Sequence, residues 1–336
     1  MKRIWFNHWF SAAYNIISML KSVDPDYHII GTNENSLSVI SAVCDEWYTE
    51  PAIKGDKYVD FCLSFCSEHN VDVFLPRREM LSISEHKEDF ERIGVKVMVE
   101  DYKIASILNH KDRAYSYLAE MGVSTIPQHF TVTNITDFER AYESLSKEFT
   151  NVCIKFVYDE GGKSFRLIDN NRTGYKALFK KQNTRMTYDA IHSALSERET
   201  FSPLMVMPYL PGDEVSADCL STPSGLIMLP RVKGSTRVEK LMFDDTILEK
   251  IEEVYSTIKL EWPCNIQFKF LGDTPYFLEV NTRMSGGIQM ACLAGGVNIP
   301  DIAINKILGI NKQWAVNKKD QFISQVGIPL VLNDRV

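Results

Sequence analysis

The densest grouping of chemically competent side chains lies late in the chain, where Asn265-Ile266-Gln267-Phe268 is followed by Phe277-Leu278-Glu279-Val280-Asn281-Thr282-Arg283. Both runs read as strands. On the second, the period of two puts Glu279 and Asn281 on one face, with Arg283 continuing the row. Gln267 is expected beside them on the neighbouring strand. Oxygen donors grouped in this way suit Mg²⁺, a hard cation that also binds phosphate oxygens. Arg283 would then stabilise charge on a phosphoryl group in transfer. The alternative is a structural Glu–Arg pair beside an Asn turn. Against it, an apolar strand ending in Glu-x-Asn-x-Arg concentrates polar groups at its terminus.

Two earlier stretches carry weaker signals. Ile154-Lys155-Phe156 reads as a buried strand, and a buried ammonium is costly unless an anion neutralises it. Asp159-Glu160-Gly161-Gly162-Lys163-Ser164 follows, and its glycine pair could present backbone N–H groups to phosphates. It is not a P-loop, because Val157 stands where that motif needs glycine. A hairpin turn with a salt-bridged lysine explains this stretch as well. The second is Met207-Pro208-Tyr209-Leu210-Pro211-Gly212-Asp213-Glu214-Val215-Ser216-Ala217-Asp218. A strand turns at Pro-Gly and returns with Glu214, Ser216 and Asp218 on one face. Backbone groups at a strand end can bond an adenine edge, and a carboxylate seven residues on can hold ribose hydroxyls; a solvated polar face is the other reading.

The elements that must position these residues are those of an α/β protein. Strands at Lys2–Phe6, Tyr27–Gly31, Val71–Leu75 and Val95–Val99 alternate with helices at Ser11–Lys21, Tyr58–His69 and Glu85–Ile93, which implies a parallel, doubly wound sheet. The first turn, Asn7-His8-Trp9-Phe10-Ser11, lacks glycine, so backbone could not approach a pyrophosphate there and nicotinamide binding is rejected. After Asn109 come helices at Lys111–Met121 and Thr136–Glu148, an extended run Thr125–Phe130, and strands Val152–Val157 and Leu204–Leu210. Antiparallel runs Glu214–Leu220 and Gly225–Val232, a helix Asp245–Ile258, and strands Cys264–Leu271 and Pro275–Val280 complete the pattern.

Composition narrows the function classes. The 336 residues suffice for two or three domains. A formal charge of −7 with both signs interspersed gives no attraction to nucleic acid or anionic lipid. No segment has the length of uncharged apolar sequence a membrane span requires, and the N-terminus lacks a cleavable signal. Seven scattered cysteines without a CxxC pair read as buried free thiols, which fits a reducing cytoplasm.

The order of the three signals resembles the ATP-grasp superfamily. The resemblance is strongest to the ATP-grasp units of the carbamoyl-phosphate synthetase large subunit and related carboxylate–amine ligases. It covers essentially the whole chain: a Rossmann-like pre-ATP-grasp domain (1–108), a lid subdomain (109–210) and a C-terminal ATP-grasp subdomain (211–336). Gln267, Glu279, Asn281 and Arg283 are its most specific part. The resemblance implies ATP bound with Mg²⁺, or Mn²⁺ in its place. Lys111 and Lys155 would reach the phosphates, Gly161 and Gly162 would form a mobile phosphate loop, and Ser164 would assist it. Met207 and Tyr209 would face adenine, Glu214 the ribose, and Gln267, Glu279 and Asn281 the metal. Arg283 would contact phosphate and the acyl-phosphate.

Three departures stand out. Met207 replaces a common glutamate, Asn281-Thr282-Arg283 replaces the commoner Asn-Pro-Arg, and Gln267 replaces an acidic residue, leaving Glu279 as the main charged ligand. The expected activity is that of a cytoplasmic ligase, pairing as a homodimer, that activates a carboxylate as an acyl-phosphate and passes it to an amine. Lys155, Arg283 and Arg231 are its candidate catalytic residues. Arg77 and Arg78, at the carboxyl end of a parallel strand, read either as a grip for a second carboxylate or as a solvated loop. Gly286, Gly287, Gly295 and Gly296 suggest helix packing or a backbone approaching ligand. A carbamate-type phosphotransferase and a non-catalytic nucleotide-binding protein are the rival readings.

Overall fold

The computed structural model describes residues 1–158, 162–171, 184–234 and 237–332; Gly161 of the expected phosphate loop lies outside them. The chain forms two compact units. One holds Met1–Ser106, Asp213–Phe268 and Val280–Val336, and the other Ile107–Gly212 and Lys269–Glu279.

In the first unit, β1 (Lys2–Asn7), α1 (Ala13–Val23), β2 (Tyr27–Asn33), β3 (Glu46–Thr49), α2 (Asp56–Glu68), β4 (Val73–Leu75), α3 (Met80–Glu85), α4 (Lys87–Arg92) and β5 (Lys96–Val97) follow in order. The strands pair in parallel in the order β3-β2-β1-β4-β5, so the sheet reverses direction of growth between β1 and β4. The expected doubly wound sheet is present. One strand was not expected: β3 is short, and its Trp47 is buried while Tyr48 and Thr49 are exposed. The helix expected over Glu85–Ile93 starts later and is preceded by a second one, the two meeting at His86, whose φ of −103° breaks the run.

A helix α5 (Tyr102–Leu108) leads into the second unit. There α6 (Lys111–Glu120), β6 (Phe130–Val132), α7 (Ile135–Glu148), β7 (Val152–Phe156), β8 (Arg166–Ile168), β9 (Arg185–Met186), α8 (Tyr188–Ser196) and β10 (Leu204–Pro208) build a sheet in the order β6-β10-β7-β8-β9. α7 is capped by Asn134, whose side chain accepts from Asp137 N, and buries Phe138, Ala141 and Leu145. Those residues join Val152, Ile154, Leu204 and Val206 in one apolar cluster. The expected extended run Thr125–Phe130 pairs only from Phe130 onward.

The remaining elements are β11 (Glu214–Thr222), β12 (Gly225–Lys233), β13 (Val238–Leu241), α9 (Asp245–Ile258), β14 (Cys264–Leu271), β15 (Thr274–Asn281), α10 (Ile288–Gly295), α11 (Ile299–Ile307) and β16 (Gln321–Ser324). Their sheet runs β15-β14-β11-β12-β13-β16, with the β14–β15 hairpin residues Lys269–Glu279 grouped in the second unit. Within the first unit a single apolar cluster joins Ile4, Phe6 and Trp9 to Leu229, Met284, Ile288 and Ile304, so the N-terminal sheet and the C-terminal helices share a core. All seven cysteines are buried free thiols. Among the described residues no helix is long and apolar enough to cross a membrane.

Candidate active site

Lys111 opens α6 and Tyr115 lies one turn later on the same face. Lys155 sits in β7, the central strand between β10 and β8, and is 7% exposed. Glu279 closes the hairpin segment of the second unit. These four converge. Lys111 Nζ lies 3.8 Å from Glu279 Oε2. The Tyr115 hydroxyl donates to the Leu278 carbonyl at 2.9 Å and accepts from Lys155 Nζ at 3.3 Å, and that ammonium stands 5.3 Å from the Tyr115 ring centroid. Burial pulls the Lys155 ammonium down to about 8; Glu279 acts in the opposite direction, and Lys111 adds repulsion. Two cations around one carboxylate leave a net positive charge, the electrostatic condition for binding a polyanion. Tyr115 escaped sequence reading because nothing distinguishes an aromatic on a helix's buried face from ordinary core.

The other expected residues of this unit are placed as follows. Met207 is buried in β10 opposite Cys153, and Tyr209 N donates to Asn151 O at 2.8 Å. The Tyr209 and Phe165 rings are 6.2 Å apart. Gly212 packs so closely on Phe270 that a Cβ would sit 2.7 Å from its backbone oxygen. Gly162 has φ of +64°, a conformation that favours glycine, and Ser164 Oγ accepts from Phe156 N at 2.9 Å.

In the first unit Glu214 is ion-paired with Lys233 at 2.5 Å. Ser216 and Asp218 are buried, which overturns the solvated-face reading of their strand. Asp218 accepts from Asn265 Nδ2 at 3.0 Å, Asn265 accepts from Ser216 and from Gln267 Nε2, and Arg231 reaches Asp218 at 3.5 Å and Glu239 more closely. Burial pushes the Asp218 carboxyl up while Arg231 pulls it back. Arg231 is 2% exposed, and a Cβ on Gly287 would lie 2.5 Å from its guanidinium, so this glycine is a packing requirement. Asn281 ends β15, two residues beyond Glu279 on the same strand face. Arg283 follows in the next turn, its guanidinium 5.4 Å from the Phe10 ring centroid.

At the carboxyl end of the parallel sheet the two neighbouring arginines differ. Arg78 is tied to Glu34 at 2.6 Å, to buried Glu50 at 3.4 Å and to the carbonyls of Pro51 and Ile53. Arg77 stands 5.4 Å from the Phe10 ring centroid. The glycine-free first turn does contain a positive φ, and His8 occupies it at 48°.

A parallel N-terminal sheet, a lysine-bearing mixed sheet and a strand ending Glu-x-Asn-x-Arg are the arrangement of the ATP-grasp fold. Two family models agree: "ATP-grasp in the biosynthetic pathway with Ter operon" matches residues 200–327 and "PylC-like, N-terminal domain" matches residues 13–98. The carbamoyl phosphate synthase large chain of Pseudothermotoga lettingae is 22% identical over 336 residues, covering 92% of this chain but 28% of the relative, so the chain spans little more than a quarter of it. N5-carboxyaminoimidazole synthetase from Staphylococcus aureus, complexed with ADP, has a TM-score of 0.73 at 13% identity, covering 97% of this chain and 82% of its own. A biotin carboxylase complex from Campylobacter jejuni has a TM-score of 0.70 at 13% identity, covering 96% and 74%. These likenesses establish the ATP-grasp fold.

Proposed function

We propose that the chain is an ATP-dependent ligase that activates a carboxylate as an acyl-phosphate and transfers the acyl group to an amine. The observation that carries this reading is the convergence of Lys111, at Glu279 itself, and Lys155, tied through Tyr115 to the neighbouring Leu278, on one strand end. The activities named for similar proteins, a carbamoyl phosphate synthase large chain and an N5-carboxyaminoimidazole synthetase among them, support the same class.

In the reaction, a substrate carboxylate oxygen bonds to the γ-phosphorus of ATP and ADP leaves. The amine then bonds to the activated carbonyl carbon and inorganic phosphate leaves. Lys111 and Lys155 hold phosphate oxygens and offset the charge that grows on them. Met207 and Tyr209 seat adenine through backbone groups, Glu214 holds ribose, and Gly161, Gly162 and Ser164 cover the phosphates and exclude water. Arg283 stabilises the transferring group, and Arg231 orders the region around it.

Among the described residues no group of three His, Cys, Asp or Glu side chains could hold a metal alone. Gln267, Glu279 and Asn281 bring a single carboxylate, a donor set that suits Mg²⁺ only when phosphate oxygens complete its shell. Held by these residues, Mg²⁺ would supply positive charge against the phosphates. The test is Mg²⁺-dependent phosphate release from ATP across a panel of acids and amines, with mass detection of the amide. Acid-dependent release with an amide product is expected; release independent of any acid, or ADP formation without a coupled product, overturns the reading.

A further inference from the structure

A buried polar network holds the turn after β1. Asn7 is fully buried; its Nδ2 donates to the Tyr58 hydroxyl at 2.9 Å and its Oδ1 accepts from Arg77 N at 2.6 Å. Tyr58 donates in turn to Glu50 Oε2 at 2.5 Å. Thr32 donates to Glu50 Oε1 at 3.1 Å, and Trp5 Nε1 donates to the Thr32 hydroxyl at 3.0 Å. Arg78 stands 3.4 Å from Glu50 and 2.6 Å from Glu34. The Glu50 side chain, wholly unexposed, is therefore fixed from several strands at once.

His8 is the residue this carboxylate faces. Its φ of 48° is uncommon for a residue with a side chain and of the kind that clusters at functional sites. Its Nδ1 is buried and makes no hydrogen bond, yet lies 3.8 Å from Glu50 Oε1. At that separation the carboxylate does little for a neutral ring and attracts a protonated one. The side chain is 37% exposed, and with Nδ1 buried its open edge is the one that carries Nε2. The turn lies at the switch between β1 and β4, at the carboxyl end of the sheet, where open α/β sheets bind ligands. Trp9, Leu75 and Arg283 line one cavity of about 20 Å³, so the same turn adjoins the one that carries Arg283.

We propose that His8 is the proton acceptor for the amine in the ligation step, with Glu50 positioning its ring and offsetting the charge of the imidazolium. This rests on the ligase reading above and adds a catalytic residue to it. The amine arrives as an ammonium ion and gives one proton to His8 Nε2. The freed lone pair forms the C–N bond as the bond from the acyl carbon to the phosphate oxygen breaks. A second N–H proton leaves with the phosphate, and His8 returns its own to solvent through the exposed edge. A histidine held by a buried carboxylate is suited to this work, because the charge it gains is met where it forms.

The test supplies Mg·ATP with acetate, succinate, L-alanine or L-glutamate. It compares amide formed with ammonium, glycine or L-lysine against hydroxamate formed with hydroxylamine. Hydroxylamine is unprotonated near neutral pH, so it captures an acyl-phosphate without a proton acceptor. In His8→Gly the ratio of amide to hydroxamate is expected to fall about a hundredfold, the lower end of what a general base contributes, and added imidazole should restore part of it. Glycine adopts this φ without strain, so the thermal midpoint should not fall. Glu50→Gln should lower the same ratio. An unchanged ratio in His8→Gly, a fall that imidazole does not reverse, or hydroxamate without amide from any of the amines overturns the proton-acceptor role and leaves acid activation standing. Absence of hydroxamate with every acid strikes the ligase reading, and this role with it.

Discussion

Lys111 and Glu279, separated by most of the second unit's sequence, stand 3.8 Å apart, nitrogen to oxygen. The carboxylate thereby serves two masters: a lysine that needs an anion and, in the proposed reaction, a cation that needs an oxygen ligand. Replacing Glu279 with Gln should reduce Mg²⁺-dependent turnover by about a hundredfold or more, in line with loss of a preorganised charge at a reacting phosphoryl group. Circular dichroism should stay that of the parent. Turnover within a few-fold of the parent would remove Glu279 from the mechanism.

Tyr115 joins Lys155 to the strand that carries Glu279. Its hydroxyl bonds Leu278 O and Lys155 Nζ, so Tyr115→Phe keeps the ring and loses both contacts. Denaturant unfolding should report a loss of about 1–2 kcal/mol, since Lys155 and a carbonyl lose a partner in a buried setting. KM for ATP should rise more than kcat falls. An unchanged stability together with an unchanged KM would make Tyr115 mere filling.

Glu100 gives a pH signature independent of catalysis. It is buried, and burial pushes its carboxyl up from the ordinary 4.5 to about 7, while the amides of Glu261 and Trp262 donate to it at 2.9 and 2.8 Å and pull the other way. The folded state therefore holds this proton more tightly than the unfolded chain. Its contribution to stability is full below pH 4.5 and is lost as pH rises through about 7, at no more than about 1.4 kcal/mol per pH unit. Glu100→Gln should flatten that segment of the stability–pH curve; an identical slope in parent and variant would refute the assignment.

Arg231 and Gly287 are matched in size. A Cβ at Gly287 would lie 2.5 Å from the guanidinium, which Asp218 and Glu239 hold in place. Gly287→Ala should cost about 1–3 kcal/mol, the range for overpacking a buried site. In the Arg231→Lys background, whose side chain ends in a smaller head, the same change should cost less. Equal costs in both backgrounds would show that the two residues do not clash.

Elements with strong apolar periodicity are legible in the sequence, and long-range contacts are not. The parallel strands and the α6 and α9 helices follow from apolar spacing, and Lys155 stood out because an ammonium in an apolar strand demands an explanation. β3 is too short for a period to register. Tyr115, Glu50 and Asn265 look like ordinary core or surface residues until the fold sets them against Lys155, Arg78 and Asp218. The partners of Arg78 could not be read in the sequence either, because Glu34 and Glu50 come from the segments after β2 and β3.

The second unit is made from two pieces of chain, Ile107–Gly212 and Lys269–Glu279, with more than fifty residues of the first unit spliced between them. A fragment cut at the obvious borders of the longer piece would keep both lysines and Tyr115 yet leave behind Leu278 and Glu279. Such a fragment would carry cations without their carboxylate, and a Tyr115 hydroxyl without its carbonyl acceptor. Modular recombination of this protein must therefore transplant the intervening segment as well, so its two units can only be inherited together.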